Sequence, residues 1–193
     1  MTIRQTTLAD LISALQARTP TPGGGAAAAV AAALGCATGA MSARYTTGPK
    51  WGALSDQALA LAETLDEAAR QCLELADQDV LAFEALTAAR RSKDGQIIAH
   101  TKDRALAIPG DLLAACALHA HALAAFLTLS NPHLLSDVKV AIHLLCGAGR
   151  AAWQTLLINQ PSLEQQQVAA THLAALGRAE AAALSLAGTG GLP

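Results

Sequence analysis

Between Arg18 and Arg44 the chain carries no charge; residues 19–43 read TPTPGGGAAAAVAAALGCATGAMSA. A run of that length either crosses a membrane or lies inside a folded domain. Alanine is nearly neutral on insertion scales, and only Val30, Leu34, Cys36 and Met41 add much apolarity. Gly35 and Gly39 are spaced for close helix crossing in either solvent. A central helix buried on all sides is the better account, and no membrane span is expected. Its opening, Gly23-Gly24-Gly25, is harder to place. A phosphate loop needs a downstream Gly-Lys-Ser or Gly-Lys-Thr, and GGGAAAAV has none. A dinucleotide turn needs a preceding strand, whereas the segment before the glycines has helical periodicity. A linker would be richer in serine and would not run straight into a buried helix. Two readings stand at this point. The glycines let helices pack closely, or they offer bare N–H groups at a helix N-terminus to an anionic or carbonyl-bearing ligand.

The remainder of the chain also reads as helix. Hydrophobic residues make up 52% of the 193, yet there are only two Phe, two Trp and one Tyr. Abundant Ala and Leu with few β-branched residues favour helix over sheet. The length fits one domain spanning 1–193 with a proper core. A first helix is expected from Thr7 to Arg18, with Leu8, Leu11, Ile12 and Leu15 on its apolar face; the Thr-Pro-Thr-Pro stretch then stops it. A second runs from the glycines to about Tyr45, and a third from Ser55 to Ala89. A fourth spans about Ile97 to Leu129, with Pro109-Gly110 expected to kink or divide it. A fifth spans Ser136 to Leu157, and Ser162 with Gln165 forms a capping box for a sixth. The tail AGTGGLP is expected to fray. Short connections make neighbouring helices antiparallel. The expected fold is an all-α single domain, a bundle of long antiparallel helices.

Charge and cysteine usage narrow the function. A net charge of −2 leaves no basic field, and no aromatic-basic interleaving marks a nucleic-acid binder. Cys36, Cys72, Cys116 and Cys146 are far apart, without C-x-x-C, and read as buried free thiols. His119, His121, His143 and His172 form no metal-ligand spacing. The N-terminus MTIRQTTLADLISAL places Asp10 inside its apolar pattern and reads as no signal peptide, so a cytoplasmic location is expected.

Several segments in order resemble one family. TPTPGGGAAAA leading into ALGCATGAMSARYTTGPKW is similar to the cyclodeaminase/cyclohydrolase family of folate enzymes. That family comprises the C-terminal half of formiminotransferase-cyclodeaminase and stand-alone methenyltetrahydrofolate cyclohydrolases. DVLAFEAL (79–86) resembles the family's Asp-x-x-Ala-Phe/Tyr stretch, and AIPG (107–110) falls where the family carries a helix proline. SNPHLLSDVKVAIHLLCGAGRAAWQTLLIN (130–159) resembles its Gly-Asn-x-x-x-x-Ser-Asp segment and the following helix. The resemblance implies a homodimer with folate in a cleft near the subunit contact. It implies closure of 5-formiminotetrahydrofolate to the 5,10-methenyl form with loss of ammonia, or opening of the methenyl form by water to 10-formyltetrahydrofolate. Neither reaction calls for a metal or cofactor.

Residue by residue, the resemblance singles out Asp137, in LLSD at a helix start, as base or cation stabiliser; a plain first-turn acid is the bland alternative. Ser136 beside it is read most simply as an N-cap. Lys50, in TTGPKW, is a proton donor or folate-carboxylate partner, or else a surface lysine; relatives carry a lysine cluster that Pro49 and Trp51 interrupt here. Gly23, Gly24 and Gly25 form the backbone wall of the site. Asp79 matches an acidic position that could read the donor edge of a pterin. Asn131 agrees with the family, while His133 stands where another Asn is usual. Arg150 is a candidate for the folate glutamate tail. Ala26, where cyclodeaminases commonly show serine, leans toward hydrolase-type relatives or a diverged paralogue. Ala26, His133, Lys139 and the lysine cluster changed at Pro49 also fit a protein that keeps the fold and ligand but has lost catalysis; Arg44 and Tyr45 depart from the family as well. A purely structural dimer, for which the Ala-rich Gly35/Gly39 helix would suffice, is a third reading.

Overall fold

The computed structural model describes residues 2–186; the tail expected to fray lies outside them. Six α-helices account for about four-fifths of the described residues: α1 (Leu8–Gln16), α2 (Gly24–Arg44), α3 (Leu54–Ser92), α4 (Gly95–Phe126), α5 (Leu135–Ile158) and α6 (Leu163–Ser185). Among the described residues there is no strand. Helices α2 to α6 alternate in direction. Gly25 of α2 faces Asp79 of α3, and fourteen residues on, Gly39 faces Leu65; α3 therefore runs antiparallel to α2. Gly35 meets Ala141 and Leu145 of α5, and Gly149 of α5 meets Leu176 of α6.

The uncharged run is the centre of the bundle. α2 packs against α3, α4 and α5, and Ala26, Ala32, Cys36 and Ala43 are fully buried. Its two spaced glycines are close-packing positions. A Cβ on Gly35 would lie 3.0 Å from Leu145 Cγ, and one on Gly39 would lie 2.9 Å from Leu123 Cδ2. Both α2 and α4 are long and apolar enough to span a membrane, and in each more than half of the most apolar window is buried within the bundle. Burial by neighbouring helices explains the missing charge without a bilayer.

Several local expectations are met in detail. Ser162 and Gln165 make the reciprocal capping box: Gln165 N donates to Ser162 Oγ at 3.2 Å, and Ser162 N donates to Gln165 Oε1 at 2.8 Å. All four cysteines are buried free thiols. Three expectations need correction. α1 buries only Leu11, leaving Leu8, Ile12 and Leu15 exposed, because the short helix touches the bundle along one edge. Ser136 is not an N-cap: α5 begins a residue earlier, after Leu134, and Ser136 Oγ turns instead toward Asp137 Oδ2 at 3.4 Å. Finally, Pro109 does not divide α4. A proline there leaves the carbonyl four residues back without its usual donor. That carbonyl belongs to Ala105, and Asn159 Nδ2 donates to it at 3.0 Å. With Ile108, Leu112 and Leu113 buried around the proline, the helix continues.

Candidate active site

The glycines open a cleft rather than a packing contact. The Pro-rich turn delivers the chain to α2 in extended conformation at Gly23, and Gly24 is exposed with nothing within 4 Å of where its Cβ would stand. Gly25 is different. A Cβ there would fall 2.1 Å from Asp79 Oδ1 and 2.5 Å from Asp79 Cγ. Glycine at this position is what lets a carboxylate from α3 reach the first turn of α2, where it faces the Ala26 N–H. The helix N-terminus is therefore already served by an anion of the protein's own. Burial pushes the Asp79 carboxyl above the ordinary aspartate range, and the Ala26 N–H opposes that rise.

Around this carboxylate lies a cavity of about 350 Å³, within the usual range for small-molecule sites. One wall is the glycine turn, with Pro20 and Thr21. The second is a stripe of α3 at helical spacing: Asp79, Ala82, Phe83, Leu86 and Arg90. The third is Ala105 and Ile108 of α4 with Thr155, Ile158 and Asn159 at the end of α5. A carboxyl whose proton affinity is raised by burial, beside bare backbone in a cleft, is suited to moving protons and to stabilising a cation.

The other expected site residues gather at the opposite end of α2, about 31 Å away for its 21 residues. Asn131 ties the α4–α5 turn to the end of α2: its backbone N–H is received by Thr46 Oγ1 at 3.0 Å, and its Nδ2 donates to the Tyr45 carbonyl at 3.1 Å. Asn131 Oδ1 accepts the His133 N–H at 3.1 Å, while the His133 ring is exposed. Asp137 lies in the first turn of α5, half-buried. Lys50 is exposed, with Nζ 5.0 Å from the centroid of the Trp51 ring, whose own Nε1 is buried without a hydrogen-bond partner. Arg44 is held by Asp66, which the guanidinium keeps below the ordinary aspartate range.

The chain thus brings Gly23, Gly24, Gly25 and Asp79 together at one end, and Lys50, Asn131, His133, Ser136 and Asp137 toward the other. Arg150 belongs to neither group. It sits on the outer side of α5, engaged by Glu180 of α6 with Nη1 to Oε1 at 3.0 Å, and His143 Nδ1 approaches the same carboxylate at 3.6 Å. Lys139 donates to the Leu186 carbonyl. Among the described residues no group of His, Cys, Asp and Glu has metal-binding geometry. A larger cavity, about 810 Å³, opens between α4, α5 and α6 and contains none of the expected site residues.

Among the wall residues of the glycine cleft that sequence reasoning missed are Phe83, Arg90, Thr155 and Asn159. For the first two a signal existed. They follow Asp79 at four and eleven residues, a spacing that keeps them on one helix face. Thr155 and Asn159 come from a distant helix end and have no local signature.

Comparison with known proteins agrees with the all-helical fold. The family model described as formiminotransferase-cyclodeaminase matches residues 7–178. No curated protein matches the chain. Among solved structures, the formiminotetrahydrofolate cyclodeaminase of Thermotoga maritima is similar, with a TM-score of 0.80 and 25% identity, over 94% of this chain and 92% of the other. The matched span runs from the start of α1 into α6 and takes in both ends of α2. This chain belongs to the formiminotransferase-cyclodeaminase family.

Proposed function

We propose that this protein acts on one-carbon tetrahydrofolates, at the carbon bridging N5 and N10, as a methenyltetrahydrofolate cyclohydrolase or formiminotetrahydrofolate cyclodeaminase. The observation that carries the reading is the Asp79 carboxylate held against the Gly25 backbone in the cleft, in a chain of this family. In ring opening, water adds to the cationic methenyl carbon and gives up a proton. The tetrahedral carbon then releases N5 as that nitrogen gains a proton. In ring closure, N10 adds to the formimino carbon, and ammonia leaves once protonated. Either course needs a group that accepts a proton, returns it at another nitrogen and steadies an amidinium-like charge. Asp79 supplies the negative charge, and its raised proton affinity suits the transfer. The chemistry is acid–base throughout and draws on no cofactor. Ala26, fully buried where cyclodeaminases commonly show serine, favours ring opening.

The reading includes a homodimer. α2 leaves an apolar stripe uncovered, with Leu34, Met41 and Tyr45 exposed by 53%, 37% and 61%. Two such stripes packed antiparallel about a two-fold axis set the glycine end of one protomer beside the Asn131 end of its partner. In that arrangement Asp137 and Lys50 reach the substrate from the second subunit, as second proton carrier and as charge partner. Four unpaired cysteines suit a reducing, cytoplasmic setting.

A second reading, a folate-binding protein without turnover, is favoured by one feature of the far end. Of the lysine cluster usual in relatives only Lys50 remains, stacked on Trp51. The test follows the absorbance of 5,10-methenyltetrahydrofolate with wild-type protein, and its appearance from 5-formiminotetrahydrofolate. Loss of the first identifies ring opening; gain from the second identifies ring closure. Tight binding with neither establishes the second reading, and no binding at all overturns both.

A further inference from the structure

Along the cleft wall, α3 presents a polarity gradient of which the proposed reaction uses only the first member: an acid at Asp79, then an aromatic ring at Phe83, an aliphatic side chain at Leu86 and a cation at Arg90. These positions share one helix face, and eleven residues separate the two charges, about 16 Å along the axis. Phe83 is 45% exposed, an unusual state for one of only two phenylalanines in the chain. Beyond Arg90 the α3–α4 hairpin tip is basic. Residues 90–104 hold Arg90, Arg91, Lys93, Lys102 and Arg104 against two acids, in a chain of net charge −2. Of those acids, Asp94 is committed to capping α4, accepting from the Gln96 and Ile97 N–H groups. None of the five cations forms an ion pair among the described residues.

We infer that α3 sets the direction in which substrate lies, with Arg90 as the specificity residue for its anionic tail. This rests on the folate reading above. A tetrahydrofolate has the same three-part order as the wall: a donor-rich or cationic head, an aromatic middle and a terminal pair of carboxylates. Complementarity places the reacting carbon beside Asp79, the p-aminobenzoyl ring against Phe83 and Leu86, and the glutamate carboxylates at Arg90. The reverse direction would set carboxylates against Asp79 and a cation against Arg90, repulsive at both ends. A guanidinium offers the tail carboxylate a two-pronged, always-charged partner. Arg150, the candidate by sequence, is already engaged by Glu180.

The experiment is calorimetric binding of 5-formyltetrahydrofolate and of 5-formyltetrahydropteroate, the same molecule without glutamate, to wild type, Arg90→Gln and Arg90→Lys. The expected result is about tenfold weaker folate binding by Arg90→Gln, unchanged pteroate binding, and partial recovery in Arg90→Lys. The salt dependence of folate binding should also flatten in Arg90→Gln. Equal loss for both compounds, or no loss for either, overturns the assigned direction while the folate reading stands. If wild type binds neither compound, the folate reading and this inference fall together.

Discussion

Replacing Gly25 by alanine isolates the contact on which the site depends. In most first-turn positions the change would help, since alanine is preferred over glycine in helices by roughly 0.5–1 kcal/mol. Here the new methyl carbon would sit 2.1 Å from Asp79 Oδ1 and 2.5 Å from Cγ, so the carboxylate must leave. Moving it away loses the electrostatic contact of the carboxylate with the Ala26 N–H, on the order of 1.5–3 kcal/mol. The net expectation for Gly25→Ala is a loss of about 1–2 kcal/mol. In an Asp79→Ala background there is nothing to displace, and the same substitution should gain up to about 1 kcal/mol. A double-mutant cycle by urea denaturation should therefore show a coupling energy of about 2 kcal/mol between residues on different helices. Coupling below about 0.5 kcal/mol would mean that the carboxylate is not held against α2, and the reasoning about the site would fail.

Asp79 also predicts a pH dependence of stability. Its folded-state proton affinity is raised above the ordinary 3.8, so the native state binds the proton more tightly than the unfolded chain does. Stability from this group is present in acid and is lost as pH rises through the raised pKa, so Asp79→Asn should be at least as stable as wild type at neutral pH. The gap in urea midpoint should widen from about pH 4 to about pH 7, and a constant gap would contradict the burial argument. If the two ends of α2 meet across a dimer, inactive Asp79→Asn and Asp137→Asn proteins should complement when unfolded together and refolded. Random pairing would restore up to about a quarter of wild-type turnover, because half of the dimers are mixed and each holds one intact site. No recovery, in samples shown by sedimentation to contain dimers, would place both carboxylates in one subunit's site or one of them outside it.

The helical architecture was legible because it depends on local periodicity. The charge-free α2, the capping box at Ser162 and the packing roles of Gly35 and Gly39 all follow from spacing within a few turns. What was not legible depends on where distant helices meet. Gly23, Gly24 and Gly25 look alike in sequence, yet only Gly25 has a carboxylate where its Cβ would be. Pro109 signalled a break, and nothing near it announced that Asn159 would take up the freed Ala105 carbonyl. The apolar face expected for α1 was real as a pattern, but the bundle covers only Leu11 of it. Arg150 was free in sequence and paired in space, since Glu180 lies on another helix. The separation of the candidate residues into two ends, by contrast, could have been reasoned out. A 21-residue helix with the glycines before it and Lys50 after it cannot bring the two together within one subunit.

The most direct test of the account is Gly24→Val, measured for 5-formyltetrahydrofolate binding, for methenyltetrahydrofolate turnover and for melting temperature in one preparation. A Cβ at Gly24 would have no packing neighbour within 4 Å, and the position lies at the exposed edge of the cleft. The account expects folate binding and turnover to be lost, with the melting temperature lowered by only a few degrees, as about 1 kcal/mol would do. Undiminished binding and turnover would contradict it, and would move the substrate away from the glycine cleft.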